Sequence, residues 1–237
     1  MLYIVATPIG NLGDFSYRGV QVLRDADAIA CEDTRRTRIL LSHFEIPMPH
    51  SLISYREQTE HKAGRRLIEL LEEGKTVALC ADSGYPGISD PGYRLICDAI
   101  KRGIQFEVIP GASAVPVALL VSGLPSSSYT FKGFPPRKIG PIRRFFEAEK
   151  DVPHTLILFE SPMRLAKTLT LAAEVLGDRK AAVCIELTKK FESVSRGFLT
   201  DLVASFAGQK IKGEVTVVIA GSNPKFIRSE SNTGTVE

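Results

Sequence analysis

The chain has 237 residues, 44% hydrophobic and 24% charged, which is the composition of a globular protein and excludes fibrous or wholly disordered classes. At this length one large or two small domains bury roughly 70–75% of the unfolded surface, so no disulfide or metal is needed to hold a core. The net charge of +3 is uneven, because residues 113–237 carry 17 Lys/Arg against 12 Asp/Glu; that excess fits a polyanionic partner or simply a solvated face.

Short apolar runs at Leu2–Ala6, Ala28–Cys31, Thr76–Ala81 and Phe106–Ile109 read as strands buried on both faces, with Ser51–Tyr55 a weaker fifth. The first of them follows no basic leader, which speaks against a secretory signal. Amphipathic stretches around Tyr17–Leu23, Thr34–His43, Glu60–Glu73 and Pro91–Lys101 lie between them, the last with Asp90 as N-cap and Pro91 at the first helical position. Such alternation implies a mainly parallel sheet with helices on its faces.

A further helix, Ser113–Val121, ends at Gly123, and Leu124–Ser128 reads as a Pro/Ser-rich linker. The apolar stretch Ala114–Leu124 is too short to span a bilayer. Strands follow at Tyr129–Phe134, Thr155–Phe159, Ala182–Leu187 and Glu214–Ala220, with helices opened by Ser161-Pro162 and capped by Thr200. The expected organisation is therefore an N-terminal α/β domain (1–112), a connecting helix and linker (113–128), a C-terminal α/β domain (129–221) and a loosely ordered polar tail (222–237). Cys31, Cys80, Cys97 and Cys184 are scattered in apolar segments without zinc or disulfide spacing, as expected of buried reduced thiols in a cytoplasmic protein. No metal site is expected.

Three Gly/Pro-rich segments each follow a predicted strand: Thr7–Asp14, Ala81–Gly92 and Pro110–Ala114. Ligands of open parallel sheets bind outside the carboxyl ends of the strands. Three such loops there make a pocket of main-chain N–H and C=O groups, although any one alone is only a turn. Neither GxxxxGK[ST] nor a strand-following GxGxxG is present. The loops offer carboxylate, hydroxyl and amide groups instead, which suit a zwitterionic or cationic small molecule with a ribose or amino-acid end.

The segments VATPIGNLGD, EDTRRT, ADSGYPGISDPG, IPGASA, FESPMR, ELTKKFE and GEVTVVIAG, in this order over residues 2–221, resemble the small-subunit ribosomal RNA 2′-O-ribose methyltransferases of the tetrapyrrole methylase superfamily. The resemblance implies two α/β domains with a cofactor cleft between them, S-adenosylmethionine as methyl donor, and a homodimer. It implies as substrate a cytidine ribose in the decoding region of small-subunit ribosomal RNA, free or in the assembled 30S subunit. It places Pro8, Ile9 and Gly10 in the first cofactor loop, and Asp82, Ser83, Gly84, Tyr85 and Ile88 in the second. That second loop begins Ala-Asp-Ser where the superfamily has Gly-Asp-Pro. Ser113 and Ala114 match the methionine end, and Phe159, Leu187, Gly213 and Glu214 match segments that close over adenosine.

Methyl transfer to a hydroxyl requires in-line placement and a group that takes the proton. Glu32 and Asp33, directly after the second strand, and Lys189 are the candidates for catalysis. The plainer alternative is that Asp33 caps the next helix and Glu32 pairs with an arginine. Arg35 and Arg36, the run Arg137, Lys138, Arg143 and Arg144, and Lys190 are candidate RNA contacts. Two other readings remain open: a superfamily methyltransferase acting on a tetrapyrrole or another small substrate, and a non-catalytic RNA- or ribosome-binding protein.

Overall fold

The structure is a computed structural model that describes residues 1–228. The chain divides into two units, Met1–Ser113 and Ala114–Glu237.

The first unit holds strands β1 (Leu2–Val5), β2 (Ala28–Cys31), β3 (Ser51–Ser54), β4 (Val77–Cys80) and β5 (Phe106–Ile109). All pair in parallel, in the order β3-β2-β4-β1-β5. Side chains of a strand alternate between faces, so Leu2 and Ile4 join one core with Leu67, Leu71 and Leu95. Val5, Ile29 and Ala78 join another with Leu23, Leu40 and Leu41. Helices α1 (Tyr17–Asp25) and α2 (Thr34–His43) supply the second core, α3 (Glu60–Glu72) and α4 (Tyr93–Lys101) the first. Each fully buried Leu or Ile contributes about 1.5–3 kcal/mol.

The second unit contains α5 (Ala114–Ser122), β6 (Tyr129–Phe131), α6 (Ile139–Glu147), β7 (Thr155–Glu160), α7 (Leu165–Leu176), β8 (Lys180–Ile185), β9 (Ser193–Phe198), α8 (Leu199–Phe206) and β10 (Val215–Ile219). Its sheet runs β6-β7-β10-β8-β9, with only β6 and β7 parallel. Ile142 and Phe146 of α6, Leu169 of α7 and Leu202 of α8 pack on Leu156, Leu158, Val183 and Val217. Helix α5, expected to be a connector, packs against β8, β9 and β10 and belongs to this unit.

Three helix starts differ from expectation. Helix α4 begins at Tyr93, not at Pro91, because Gly92 stands at φ +148°, outside the helical region, and its N–H goes to the Glu60 carboxylate (3.2 Å). Helix α7 begins at Leu165, since residues after Ser161 curl into a turn closed by the Arg164 N–H on the Ser161 carbonyl. Thr200 lies inside α8 and does not cap it; its N–H and hydroxyl both go to the Asp178 carboxylate (3.0 and 2.7 Å).

Residues 222–228 of the expected loose tail are ordered. Ile227 bridges to Arg179, and Arg228 pairs with Asp178 (3.2 Å) and Asp201 while lying over the Phe198 ring. The remainder of that tail, 229–237, lies outside the described residues. Cys31, Cys80 and Cys184 are buried free thiols, whereas Cys97 is only half-buried.

Candidate active site

The order β4-β1-β5 sets three strands side by side, and the three glycine-rich loops leave their adjacent carboxyl ends. Backbone bonds join the first two loops: Thr7 N–H to the Gly84 carbonyl (2.9 Å) and Gly84 N–H to the Thr7 carbonyl (3.1 Å). The buried Thr7 hydroxyl donates to the Ala81 carbonyl at 3.1 Å. The third loop is tied in by the Gly111 N–H, which donates to the Tyr85 hydroxyl at 3.0 Å. Gly84 has φ +76°, a left-handed conformation that a side chain strains. A Cβ on Gly111 would press on Ala6 at 3.1 Å. The sequence thus uses glycine where three chain segments meet.

Pro8 and Ile9 are buried beside this junction, while Gly10 is exposed. Ser83 and Ser113 are half-buried, and Ile88 is exposed. Ala114 opens α5 and falls in the second unit.

Strand β2 neighbours β4 on the other side, which brings Glu32 and Asp33 to Asp82. Asp82 accepts the Asp33 N–H (3.0 Å) and pairs with Arg36 (3.3 Å). Asp33 caps α2 through the Arg35 N–H (2.9 Å) and grips the Arg35 guanidinium (2.6 Å). The Arg35 bonds hold its carboxyl well below the usual range, so Asp33 is a cap and an ion-pair partner. Glu32 differs. Burial first, and then the charge of Asp82, push its carboxyl above the usual range, against the pull of Arg36 and Arg56. A carboxylate raised in this way is a better proton acceptor near neutral pH.

Beside these residues lies a cleft of about 780 Å³, within the first unit, lined by the carboxylates of Glu32, Asp33, Glu57, Glu60, Asp82 and Asp90 together with Arg35, Arg56 and Arg94. Arg56, which sequence reasoning missed, follows β3 and donates through Nε to the Glu32 carbonyl at 2.8 Å. Its signal was positional: it leaves the strand next to β2 at the same carboxyl edge.

In the second unit, the expected residues Glu214 and Lys189 come together around Glu186. The Glu186 carboxylate accepts the Glu214 N–H (2.8 Å) and the Lys189 ammonium (2.8 Å), and Lys189 also reaches Glu214 (3.1 Å). Gly213 stands where a Cβ would collide with Glu186. Burial pulls the Lys189 ammonium down, but the bonds to Glu186 and Glu214 outweigh it and hold the group above its ordinary value. A charged ammonium has no lone pair to accept a proton, so in this geometry Lys189 is a strut. Leu187 is buried, and Phe159 lies half-buried between Phe131 and Phe134. Arg143 pairs with Glu174, whereas Arg137, Lys138, Arg144 and Lys190 are exposed.

Residues 1–203 match the model of the tetrapyrrole (corrin/porphyrin) methylases. The chain is 47% identical over 224 residues to the ribosomal RNA small subunit methyltransferase I of Halalkalibacterium halodurans, covering 94% of this chain and 77% of that protein. The Thermotoga maritima protein of the same name is 41% identical over 220 residues, covering 93% and 98%. The chain belongs to the tetrapyrrole methylase family, in its small-subunit methyltransferase I branch. Among solved structures, diphthine synthase superposes with a TM-score of 0.71 at 18% identity, covering 93% of this chain and 90% of that one. A cobalt precorrin-4 methyltransferase gives 0.70 at 17%, covering 92% and 94%. At such identities these two speak for the fold alone.

Membership in this branch makes the protein a methyltransferase with S-adenosylmethionine as methyl donor. The residues present fit that ligand. The loops 6–16, 81–92 and 110–113 contain no Lys or Arg, so they present backbone, hydroxyl and carboxylate groups to a sulfonium and repel no positive charge. Pro8, Ile9, Gly84 and Tyr85, at the junction of these loops, would hold it.

Proposed function

We propose that this protein methylates the ribose 2′-hydroxyl of a cytidine in the decoding region of small-subunit ribosomal RNA. One observation carries the reading: cation-free glycine loops and an arginine-bearing cleft share one sheet edge and meet at Asp82. A small-molecule donor suits the first, and the second, where carboxylates outnumber arginines, suits a ribose hydroxyl whose proton Glu32 takes. The names of the relatives at 41–47% identity support small-subunit ribosomal RNA as the substrate.

When bound, S-adenosylmethionine supplies a methyl carbon attached to a positively charged sulfur. The cleft residues must hold a ribose hydroxyl within about 3–3.5 Å of that carbon and in line with the sulfur. Glu32 accepts the hydroxyl proton. Arg56 fixes the Glu32 backbone, and Asp82 keeps the Glu32 carboxyl basic while anchoring the turn that bears it. Asp33 and Arg35 lock the start of α2.

The reading includes a homodimer working in the cytoplasm. Strand β5 is a sheet edge that exposes Phe106 and Val108 (36% and 46%), the kind of apolar edge that natural proteins cover. Among the described residues no helix is long and apolar enough to cross a membrane. A monomer in light scattering would remove the dimer.

The test is methyl incorporation from labelled donor into separated ribosomal RNAs, free and in 30S subunits, followed by nucleoside analysis. The expected product is 2′-O-methylcytidine in the small-subunit RNA. Label confined to a tetrapyrrole, or donor binding without transfer to RNA, would overturn the reading.

A further inference from the structure

The second unit holds an aromatic ring out to solvent on a rigid support. Phe134 is 56% exposed, yet its backbone is fixed on both sides. Gly133, with φ +60°, accepts the Phe159 N–H at 2.9 Å. Pro135 and Pro136 follow, and Arg164 donates to both of their carbonyls (2.9 and 2.8 Å). Arg164 is itself held by the buried Glu160 at 3.3 Å, whose carboxylate also takes the Ser161 N–H and the Thr168 hydroxyl. The Phe134 ring leans on Phe159 with centroids 5.6 Å apart, and Phe159 stands edge-on to Phe131 at 4.8 Å. The ring is therefore propped from behind and open in front.

Positive charge surrounds it in sequence. Arg137 and Lys138 lead into α6 and Arg144 lies on that helix, all three exposed. Their neighbour Arg143 is neutralised by Glu174, but among the described residues these three have no acidic partner. Phe191 makes a useful contrast. It is 75% exposed and follows two lysines, but the Lys190 ammonium already lies over its ring at 5.6 Å.

We propose that Phe134 is a stacking platform for an unpaired nucleobase of the RNA substrate, with Arg137 and Lys138 on the flanking phosphates. The inference rests on the RNA reading above. Single-stranded RNA is bound by bases splayed onto aromatic rings along a positively charged track. A ring held in place beforehand loses little freedom when a base lands on it. An exposed apolar ring alone would serve equally as a protein contact; the unpaired cations beside it favour a polyanion.

The experiment measures binding of a short single-stranded RNA carrying 2-aminopurine, and of its duplex, to wild type and to Phe134→Ala, Phe134→Leu, Phe134→Trp and Arg137→Ala across a salt series. Donor affinity is measured in parallel. Phe134→Ala is expected to weaken single-strand binding about tenfold to a hundredfold and to abolish the 2-aminopurine quench. Its salt slope stays that of wild type, because stacking releases no counterions, while Arg137→Ala flattens the slope by about 0.7. Phe134→Trp restores binding and Phe134→Leu does not.

Wild-type affinity in Phe134→Ala, or full rescue by leucine, overturns the platform and leaves the RNA reading standing. So does a loss confined to donor affinity, which would make Phe134 a wall of the donor site. A wild type that binds neither RNA removes the RNA reading itself, and the platform with it.

Discussion

The Asp82 carboxylate at the end of β4 accepts the backbone N–H of Asp33 at the end of β2, at 3.0 Å. This bond joins the loop expected to hold the donor to the turn that presents Glu32. Removing it orphans a part-buried N–H and frees Arg36, so Asp82→Ala should weaken donor binding by roughly 1–3 kcal/mol. Asp82→Asn keeps an oxygen for the Asp33 N–H and should recover most of that loss. Titration calorimetry with S-adenosylmethionine on folded protein decides it; an unchanged dissociation constant in Asp82→Ala would take the residue out of the donor site.

The Glu32 carboxyl is pushed up by burial and by Asp82. A raised carboxyl favours folding at pH below its unfolded value and loses that contribution as pH rises through the folded one. Activity runs the other way, because the base must be ionised to accept a proton. The acidic limb of the pH–rate profile should therefore lie above the ordinary carboxylate range. Asp82→Asn should move that limb to lower pH, and loss of Arg36 or Arg56 should move it higher. Glu32→Gln should abolish the limb and lower kcat by roughly 10²–10⁴. A Glu32→Gln enzyme with wild-type kcat would assign the proton to another group.

Much of the first unit was legible because its strands are short, mostly apolar runs: Ala28–Cys31 and Phe106–Ile109 carry the expected bounds, although β5, at the sheet edge, leaves Phe106 and Val108 exposed where burial on both faces was expected. Strand order was not. Nothing in the local pattern places β4 between β1 and β2, so the meeting of Asp82 with Asp33 could not be read from spacing. In the second unit β9, Ser193–Phe198, escaped because its Ser-Val-Ser-Arg run buries little. Helix α6 escaped because Gly140 and Pro141 look like breakers. In a first turn they are tolerated, since the N–H that proline lacks has no intrahelical partner there. The Pro91 and Ser161-Pro162 starts failed because Gly92 takes a non-helical φ of +148° and because residues 161–164 close a turn of their own through the Arg164 N–H. Glycine loops showed the site's position, and partner assignments needed the fold.

Lys189 provides a prediction about stability. Burial pushes the Glu186 carboxyl up, but the Lys189 ammonium and the Glu214 N–H outweigh it and hold the group below its ordinary value. Its stabilising contribution is therefore present above the unfolded carboxylate value and lost as pH falls through the lowered one. The Lys189 contribution, from a raised value, is intact at neutral pH and lost only as pH rises through that value. Lys189→Met should cost roughly 1–2 kcal/mol at neutral pH. It should also flatten the acid side of the stability curve, because Glu186 loses its charged partner. Urea melts across a pH series test this. A melt unchanged at neutral pH would mean that the bridge is solvated and inert.

The basic residues separate into committed and free ones, and their salt dependence should follow that division. Arg35 is bound to Asp33, Arg143 to Glu174 and Lys189 to two glutamates. Each already has a counter-charge, so phosphate binding would have to break an ion pair first. Arg137, Lys138 and Arg144 are exposed without such partners among the described residues. Lys190 is exposed over Phe191, an aromatic face that leaves its charge unneutralised. Neutralising one of the free group should weaken RNA binding and reduce the slope of log binding constant against log salt by roughly 0.7 per lost phosphate contact. Neutralising Arg143 or Lys189 should leave the slope where it was, whatever it does to stability. Donor affinity should not change for any variant of the free group, because no cation lies on the donor loops. Parallel salt plots across all these variants would mean that the positive second half is solvated surface. A reduced slope in Arg143 or Lys189 variants alone would mean that RNA opens the ion pairs seen here.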